Sequence, residues 1–210
     1  MRTRVKICGL TRVEDVRAAV RAGADAIGLV FYPASPRAVS IEQAQALCAA
    51  VPPFVTIVGL FVNETPQRVQ AALSALPLSL LQFHGGEDAA YCESFGRAYI
   101  KAARVRVGFD LINYAASYPS ASGLLVDAWV DGFGGGGEVF DWSLLPPEFD
   151  RPLVLAGGLT PANVGAAIDL VHPWALDVSS GVEAAKGIKD PALINAFIAG
   201  VRNADGWKEC

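Results

Sequence analysis

Short apolar runs rich in β-branched residues recur along the chain about every 20 to 30 residues, and this repeat limits the possible folds more than any other feature. Helical patterns lie between most of these runs, and each begins near a proline or a capping residue. The alternation of strands and helices predicts a parallel sheet. The predicted strands are residues 5–8, 27–31, 56–62, 80–84, 99–103, 123–127, 153–156 and 175–179, and the clearest helices are residues 13–22, 41–50, 66–76, 161–171 and 191–201.

Eight strand–helix units within 210 residues favour a closed (β/α)8 TIM barrel, although a doubly wound open sheet shares much of the local pattern. The unit between the sixth and seventh strands is the weakest, because Gly134-Gly-Gly-Gly137 and a proline-interrupted run replace an obvious long helix. We expect that helix to be short or displaced. Prolines and glycines fall at element boundaries instead of forming a linker, so the sequence predicts one domain over residues 1–210.

The composition provides enough apolar material for a sizeable core, since 52% of the residues are hydrophobic and only 18% are charged. A formal net charge of −4, without blocks of one sign, gives no basic footprint for nucleic acid or for an anionic membrane. The N-terminal segment leads into the first strand without a long apolar stretch, so we expect neither a signal peptide nor a membrane span. The sequence predicts a cytoplasmic monomer or homodimer whose partner is a small molecule.

The four cysteines, Cys8, Cys48, Cys92 and Cys210, lie far apart and form no CxxC pair. This spacing argues against a disulfide framework and against a thiolate zinc site. Cys48 and Cys92 fall in helical patterns, where packing explains them. Cys8 differs because it ends the first predicted strand.

Alternate residues of a barrel strand face the interior, so the phase of each strand predicts which polar side chains point inward. On three strands, polar residues alternate with apolar residues that should face the helices. The inward-pointing polar residues are Lys6 and Cys8 on the first strand, Gln82 and His84 on the fourth, and Asp177 and Ser179 on the eighth. Because the first and eighth strands are neighbours in a closed barrel, Lys6 and Asp177 are predicted to form an interior ion pair.

Cys8, His84 and Asp127 each end a predicted strand, at the rim where barrel enzymes assemble their active sites. They are therefore the candidates for chemistry. For His84, a hydrogen-bonding structural role explains the position equally well. For Asp127, the alternative is a carboxylate that caps the following loop.

Two loops rich in small residues follow the seventh and eighth predicted strands. The first contains Gly157 and Gly158, and the second contains Ser180 and Gly181. Small residues let backbone amides approach an anion, and barrels commonly bind phosphate at this position. One such turn is weak evidence, but two turns at the expected strands predict a phosphate site.

Several motifs in register along the chain carry a family resemblance. They are Lys6-Ile-Cys-Gly-Leu-Thr11, Gly28-Leu-Val-Phe31, Ser35-Pro-Arg37, Gly59-Leu-Phe-Val-Asn63, Leu81-Gln-Phe-His-Gly85, Leu155-Ala-Gly-Gly-Leu159, Pro161-Ala-Asn-Val164, Leu176-Asp-Val-Ser-Ser-Gly-Val-Glu183 and Gly187-Ile-Lys-Asp190. In order and spacing, the whole chain resembles the phosphoribosylanthranilate isomerase family. The resemblance implies a barrel enzyme without a cofactor that performs an Amadori rearrangement in tryptophan biosynthesis.

The resemblance also implies roles for particular residues. Cys8 is implied as the general base and Asp127 as the general acid in converting N-(5-phosphoribosyl)anthranilate into 1-(2-carboxyphenylamino)-1-deoxyribulose 5-phosphate. Arg37 is implied to hold the anthranilate carboxylate, away from the phosphate, with a planar fork suited to bidentate contacts. The alternative for Arg37 is a solvated loop arginine. The amides of the two small-residue loops are implied to hold the phosphate, and His84 to line the substrate site.

A cysteine that acts as a base needs a sufficient fraction of thiolate, and a free thiol has a pKa of about 8.5. Inward-facing Lys6 is our hypothesis for a cation that favours the thiolate of Cys8. Two departures from the family pattern concern loops. The Gly134 to Gly137 loop lacks a hydroxyl residue that would contact phosphate, and the segment from Glu183 to Gly187 lacks a proline.

Three other functions compete with the isomerase. A metal-dependent ribulose-phosphate epimerase is disfavoured because His84 and His172 are the two histidines and no set of ligands at strand ends accompanies them. Indoleglycerol-phosphate synthase is disfavoured because the first strand does not resemble its lysine and glutamate arrangement. A noncatalytic sensor of phosphoribosyl ligands is opposed by the presence of Cys8 and Asp127.

Overall fold

The computed structural model describes residues 2–128, 141–146 and 148–206. Eight parallel strands close into a barrel in which each strand pairs with the next and β8 pairs with β1. The strands are β1 (Arg4–Cys8), β2 (Ala26–Val30), β3 (Thr56–Phe61), β4 (Leu80–Phe83), β5 (Tyr99–Val105), β6 (Gly123–Ala128), β7 (Leu153–Leu155) and β8 (Ala175–Val178). The predicted TIM barrel is confirmed. The alternative of an open sheet is wrong, because residues Arg4 to Ile7 of β1 pair with β8 and close the barrel.

The predicted strand boundaries are correct to within about two residues, the error expected at element ends. β4, β7 and β8 each end one residue earlier than predicted. The backbone N–H of His84 nevertheless donates to the carbonyl of Phe61 at 2.9 Å, as a continuing strand would. The direction of the His84 side chain is therefore the one that strand phase predicts.

Helices connect most of the strands on the outside of the barrel. They are α1 (Val13–Ala22), α2 (Ile41–Cys48), α3 (Pro66–Ala75), α4 (Ala89–Glu93), α5 (Leu111–Ala116), α6 (Val164–Val171) and α7 (Pro191–Ala204). α6 begins three residues later than predicted because Asn163 folds the preceding segment into a turn: its side chain accepts from the Thr160 N–H and donates to the Gly158 carbonyl. No helix in these segments is long and apolar enough to cross a membrane.

The connection between β6 and β7 is described over residues 141–146 and 148–152. This part contains one short 3-10 turn, Trp142–Leu144, and no long helix. For the rest of the connection, a short or displaced helix stays a prediction. Asp141 begins this turn by accepting a hydrogen bond from the N–H of Ser143 at 3.0 Å. The loop from Gly134 to Gly137 lies outside the described residues, so the prediction about its phosphate contacts stays a prediction.

Apolar side chains pack in two places, inside the barrel and between its strands and helices. The strand phase predicted from sequence is confirmed. Outward-facing Val5, Ile7, Leu81, Phe83, Leu176 and Val178 belong to the layer against the helices. A separate interior cluster consists of Ile100, Ala102, Leu125, Val154 and Ala156, and a third lies around Cys8 with Val30, Leu60 and Val62.

A buried ion pair holds the loop that follows β4. Lys101 on β5 is fully buried, and its Nζ donates to the Gly85 carbonyl at 2.6 Å and to Oε2 of Glu87 at 3.1 Å. The Glu87 carboxylate also accepts from the N–H groups of Asn63 and Gly85. A buried ion pair needs such additional hydrogen bonds to offset its desolvation. This arrangement fixes the backbone next to His84.

Candidate active site

A cavity of about 340 Å³ opens at the C-terminal ends of the barrel strands. Its walls combine strand ends with the loops after β2, β7 and β8. Every site residue predicted from the sequence lines it: Cys8, Arg37, His84, Asp127, Gly157, Gly158, Ser180 and Gly181. The structure therefore brings residues from both halves of the chain to one place, where barrel enzymes carry out their chemistry.

Cys8 ends β1 and is 5% exposed. Gly28 on the neighbouring strand β2 leaves space for the sulfur, because a Cβ at this position would lie 2.7 Å from Sγ of Cys8. The adjacent loop is also fixed to Cys8, since the Ser179 hydroxyl donates to the Cys8 carbonyl at 3.0 Å. Cys8 is therefore held by its neighbours on both sides, with its thiol facing the cavity.

The predicted interior ion pair between Lys6 and Asp177 is confirmed. Lys6 Nζ lies 2.9 Å from each carboxylate oxygen of Asp177. Both side chains are buried, and the pair joins the two strands that close the barrel. Burial lowers the pKa of Lys6, but the charges of Asp177 and Cys8 outweigh that effect, so the pKa of Lys6 is raised and the ammonium form is favoured.

The hypothesis that Lys6 favours the thiolate of Cys8 is correct for the effect of Lys6 alone. The combined effect of all surrounding groups on the pKa of Cys8 is the opposite. Burial raises the pKa of the Cys8 thiol, and the carboxylate of Asp177 raises it further. Lys6 lowers the pKa of Cys8, with a smaller contribution from Lys189. The net shift is upward because burial, together with the Asp177 carboxylate that also neutralises Lys6, outweighs the effect of Lys6. In this structure the protonated thiol is favoured.

Asp127 lies at the end of β6, where its two carboxylate oxygens face different partners. Oδ1 accepts from the backbone N–H of Ala128 at 2.8 Å, and Oδ2 lies 3.3 Å from Nε2 of His84. The carboxylate leaves no room for a side chain at position 157, because a Cβ on Gly157 would lie 2.7 Å from Oδ1. Asp127 thus accepts a hydrogen bond within β6 and lines the cavity. The alternative that it caps the following loop stays a prediction, because that loop lies outside the described residues.

His84 and Gln82 project from β4 into the same cavity. Gln82 Nε2 lies 3.0 Å from Nδ1 of His84. His84 is hydrogen-bonded within the barrel, as its structural alternative predicts, and it also borders the cavity. Its contact with a substrate stays a prediction. Two buried atoms of this pair, Oε1 of Gln82 and Nε2 of His84, have no aligned hydrogen-bond partner among the described residues.

The two small-residue loops pack closely against each other. A Cβ built on Gly181 would lie 1.8 Å from the Leu159 carbonyl oxygen, so the contact excludes any side chain at this position. Gly157 and Gly158 have φ values of 80° and 62°, in the left-handed region that favours glycine. The Asn163 side chain fixes the first loop by donating a hydrogen bond to the Gly158 carbonyl. The backbone of the loops after β7 and β8 thus converges on one side of the cavity.

Arg37 is buried, with 7% exposure, so the alternative of a solvated loop arginine is wrong. Its fork is also engaged within the protein: Nε donates to Oε1 of Glu183 at 2.7 Å and Nη2 donates to Oε2 at 2.8 Å. The hydrogen bonds that Arg37 donates to Glu183 raise the pKa of Arg37. The expected bidentate face is therefore occupied by Glu183, which directs the guanidinium toward the segment after β8.

Glu183 and Lys189 are two charged residues to which the sequence assigned no role. They lie on the hairpin formed by β9 (Glu183–Ala185) and β10 (Ile188–Lys189). Lys189 Nζ donates to Glu183 at 2.8 Å and to the Ser179 carbonyl at 3.0 Å. Burial lowers the pKa of Lys189 although Glu183 opposes the shift. Both residues belong to motifs that carry the family resemblance. Their charge within those motifs was the sequence signal that could have identified them as site residues.

Within the described ranges, no group of three or more histidine, cysteine or carboxylate side chains is arranged to hold a metal ion. Cys8, Cys48 and Cys92 are free and buried, and Cys210 lies outside those ranges. The hydrogen-bonding groups that line the cavity are protein backbone and polar side chains. They suit an anionic, hydroxyl-bearing small molecule.

The chain is similar to proteins of one family. Residues 5–200 match the family described as N-(5'phosphoribosyl)anthranilate (PRA) isomerase. The N-(5'-phosphoribosyl)anthranilate isomerase of Dechloromonas aromatica is 63% identical over 205 residues, which cover 98% of this chain and 99% of the relative.

Two solved structures extend the similarity to the fold. Phosphoribosyl anthranilate isomerase from Thermotoga maritima superposes with a TM-score of 0.88 at 45% identity, covering 97% of this chain and 99% of that chain. A phosphoribosyl anthranilate isomerase in complex with reduced 1-(o-carboxyphenylamino)-1-deoxyribulose 5-phosphate gives a TM-score of 0.84 at 44% identity, with the same coverage. With both its fold and its sequence matching, the chain belongs to the N-(5'-phosphoribosyl)anthranilate isomerase family.

Proposed function

We propose that the chain catalyses the Amadori rearrangement of N-(5-phosphoribosyl)anthranilate to 1-(2-carboxyphenylamino)-1-deoxyribulose 5-phosphate, with Cys8 as general base and Asp127 as general acid. The observation that carries the proposal is that these two groups line one cavity from different strands, beside two small-residue loops. One proton donor and one proton acceptor suffice for this isomerisation.

The reaction begins when Asp127, in its protonated form, donates a proton to the ring oxygen of the aminosugar. The ring C–O bond breaks, and the nitrogen lone pair forms an iminium with C1′. Cys8, as thiolate, then removes the proton from C2′, and the electrons of that C–H bond form the enolamine. The enolamine tautomerises to the ketone product. The positions of Cys8 and Asp127 at strand ends keep both groups fixed while the substrate changes shape.

The phosphate of the substrate is assigned to the loops that contain Gly157, Gly158, Ser180 and Gly181. Closely packed glycine backbone exposes N–H groups that an anion can approach. The anthranilate carboxylate is assigned to Arg37, and His84 is assigned to the wall beside Asp127. Because Glu183 accepts from Nε and Nη2 of Arg37, the carboxylate would use the remaining nitrogen, Nη1.

The family match favours the isomerase over the epimerase and the synthase, because it is the isomerase family that covers residues 5–200. A noncatalytic sensor would need to lose turnover while keeping Cys8 and Asp127. Predictions from sequence that remain open are catalysis without a cofactor, a cytoplasmic location, the monomeric or homodimeric state, and the absence of nucleic-acid and membrane partners.

The test is an assay of purified protein with phosphoribosylanthranilate, with a chelator present. We expect product formation, and we expect Cys8→Ala and Asp127→Asn each to lower turnover by roughly 10²- to 10⁴-fold. Circular dichroism and thermal unfolding would verify that both variants fold. Absence of product from the wild-type protein would overturn the isomerase function. Near wild-type turnover of either folded variant would overturn that residue's role.

A further inference from the structure

The side chains of Gln82 and His84 form a buried chain that leads to Asp127. Gln82 is fully buried and His84 is 7% exposed. Gln82 Nε2 is 3.0 Å from Nδ1 of His84, and Nε2 of His84 is 3.3 Å from Oδ2 of Asp127. The proposed chemistry of Cys8 and Asp127 assigns no function to Gln82.

The contact between Gln82 and His84 determines where the imidazole carries its proton. The amide nitrogen of Gln82 is a donor and has no acceptor capacity, so Nδ1 of His84 must be the acceptor. In the neutral ring, the proton is then on Nε2, the nitrogen that faces Asp127.

The opposite orientation of the Gln82 amide would reverse this arrangement. Oε1 of Gln82 would accept from Nδ1–H, and a bare Nε2 would face Oδ2 of Asp127. Two acceptors would then face each other whenever Asp127 is ionised. The orientation in the structure avoids this repulsion, although it leaves Oε1 of Gln82 without a hydrogen-bond partner among the described residues.

We propose that Gln82 is a positioning residue that fixes the Nε2–H tautomer of His84, so that His84 donates a hydrogen bond to Asp127 when Asp127 gives up its proton. This inference rests on the proposed function, in which Asp127 is the acid. His84 Nε2 lies 3.3 Å from the carboxylate but is not aligned as a hydrogen bond. Catalytic hydrogen bonds in a ligand-free site are often long and tighten when charge develops.

The two oxygens of Asp127 would then have separate donors in the charged state. Oδ1 already accepts from the N–H of Ala128 at 2.8 Å, and Oδ2 would accept from His84. Hydrogen bonds to a carboxylate stabilise its charged form, so proton release from Asp127 to the substrate becomes easier. Gln82 contributes at one remove, by keeping the correct nitrogen of His84 protonated.

The tautomer can be measured without turnover. The chain has two histidines, so ¹⁵N-histidine labelling of the whole protein gives two ring systems, and His172→Gln identifies the signals of His84. At about pH 8.5, above the usual titration range of imidazole, we expect His84 to be protonated on Nε2 and unprotonated on Nδ1. A ring protonated on Nδ1 would overturn the inference.

Gln82→Met removes the amide donor while it keeps a side chain of similar length. We expect the His84 signals to lose the pure Nε2–H signature and kcat to fall roughly 10- to 100-fold, the loss expected for one hydrogen bond to a charged group. KM should change little, because the substrate does not touch Gln82 in this scheme. Gln67→Met on the exposed face of α3 is the matched control and should leave kcat unchanged.

A double-mutant cycle separates positioning from general disruption of the barrel. In the Asp127→Asn background, Gln82→Met should lower the residual kcat by less than about twofold, since Asp127 is the group through which Gln82 acts. An equal loss in both backgrounds would show that Gln82 is merely structural. If Gln82→Met does not fold, Gln82→Glu replaces it; there the expected result is a switch of His84 to the Nδ1–H tautomer with a similar loss of kcat.

The outcomes for the inference and for the proposed function are distinguishable. Near wild-type turnover of folded Asp127→Asn would overturn the proposed function, whatever the tautomer of His84. An inactive Asp127→Asn protein together with an Nδ1–H tautomer in the wild-type protein would overturn the inference alone.

Discussion

Glu183 accepts two hydrogen bonds from Arg37, one from Nε at 2.7 Å and one from Nη2 at 2.8 Å, in the bidentate geometry that arginine forms with carboxylates. Both side chains are less than 10% exposed. Burial opposes the charge of Glu183, but Arg37 and Lys189 outweigh it and lower its pKa. Arg37 is therefore held in one orientation before any substrate arrives.

Arg37→Met should weaken binding of the carboxylated substrate much more than binding of an analogue that lacks the carboxylate. Loss of a charge-assisted hydrogen bond costs about 1.5 to 3 kcal/mol, which titration can resolve. Arg37→Lys should not restore affinity, because a single ammonium cannot reproduce the fork that spans Glu183 and the ligand. Equally weakened binding of both ligands would mean that Arg37 determines the loop conformation and does not bind the carboxylate.

Alkylation of Cys8 by iodoacetamide should keep accelerating at pH values above the ordinary titration range of a thiol, because burial and then the charge of Asp177 raise the pKa of Cys8. The thiolate is the nucleophile, so the alkylation rate follows its fraction. Peptide mass spectrometry would separate Cys8 from the other cysteines. A rate that levels off below neutral pH would contradict this expectation.

Asp177→Asn should move the rise in alkylation rate to lower pH. The substitution removes the charge that raises the pKa of Cys8 and leaves Lys6 as an unbalanced cation, which favours the thiolate. The variant should also lose about 3 to 5 kcal/mol of stability, because Lys6 stays buried without its carboxylate partner. Lys6→Met should shift the profile in the opposite direction, and a shift in the same direction for both variants would refute the electrostatic explanation.

Gly181→Ala should separate the two small-residue loops, to which we assign the phosphate, because its Cβ would lie 1.8 Å from the Leu159 carbonyl oxygen. We expect weaker binding of inorganic phosphate and an increase in KM of at least about tenfold, the loss of one charge-assisted contact. Gly165→Ala in α6 is the matched control, since nothing lies within 4 Å of a Cβ there. That variant should gain about 0.5 to 1 kcal/mol of stability. Unchanged phosphate affinity in Gly181→Ala would move the anion site elsewhere.

Lys101→Met should lower the free energy of unfolding by about 3 to 5 kcal/mol, because it leaves the buried carboxylate of Glu87 without its cation. Urea denaturation would measure the loss. Lys186→Met is the exposed control and should change stability by less than about 0.5 kcal/mol. Similar stability for both variants would mean that Glu87 is satisfied by the N–H groups of Asn63 and Gly85.

Sequence reasoning was most successful where periodicity carries the information. The strand phase of residues 6, 8, 82, 84, 177 and 179 predicted which polar side chains enter the barrel, because alternate residues of a strand face opposite sides. The closed barrel also made Lys6 and Asp177 neighbours, so their ion pair followed from topology. Local pattern predicted α1 without error at either end.

Contacts outside the barrel strands were beyond the reach of that reasoning. Nothing in the spacing of Arg37 and Glu183 predicts that they meet, because they are 146 positions apart and neither lies on a strand of the barrel. The net effect of Lys6 on Cys8 needed the relative positions of three charges, which strand phase does not give. The late start of α6 depended on the side chain of Asn163, whose hydrogen bonds compete locally with the helix.

The division of the cavity wall between strand ends and loops has an evolutionary consequence. Cys8 and Asp127 belong to strands that are hydrogen-bonded on both sides, whereas Gly157, Gly158, Ser180 and Gly181 belong to connections outside the sheet. Connections tolerate insertion and exchange far better than barrel strands do. A lineage can therefore alter which molecules the cavity admits while it inherits the spacing of Cys8 and Asp127, the proposed proton-transfer pair, unchanged. Descendants with new substrates would be expected to diverge first in these connections.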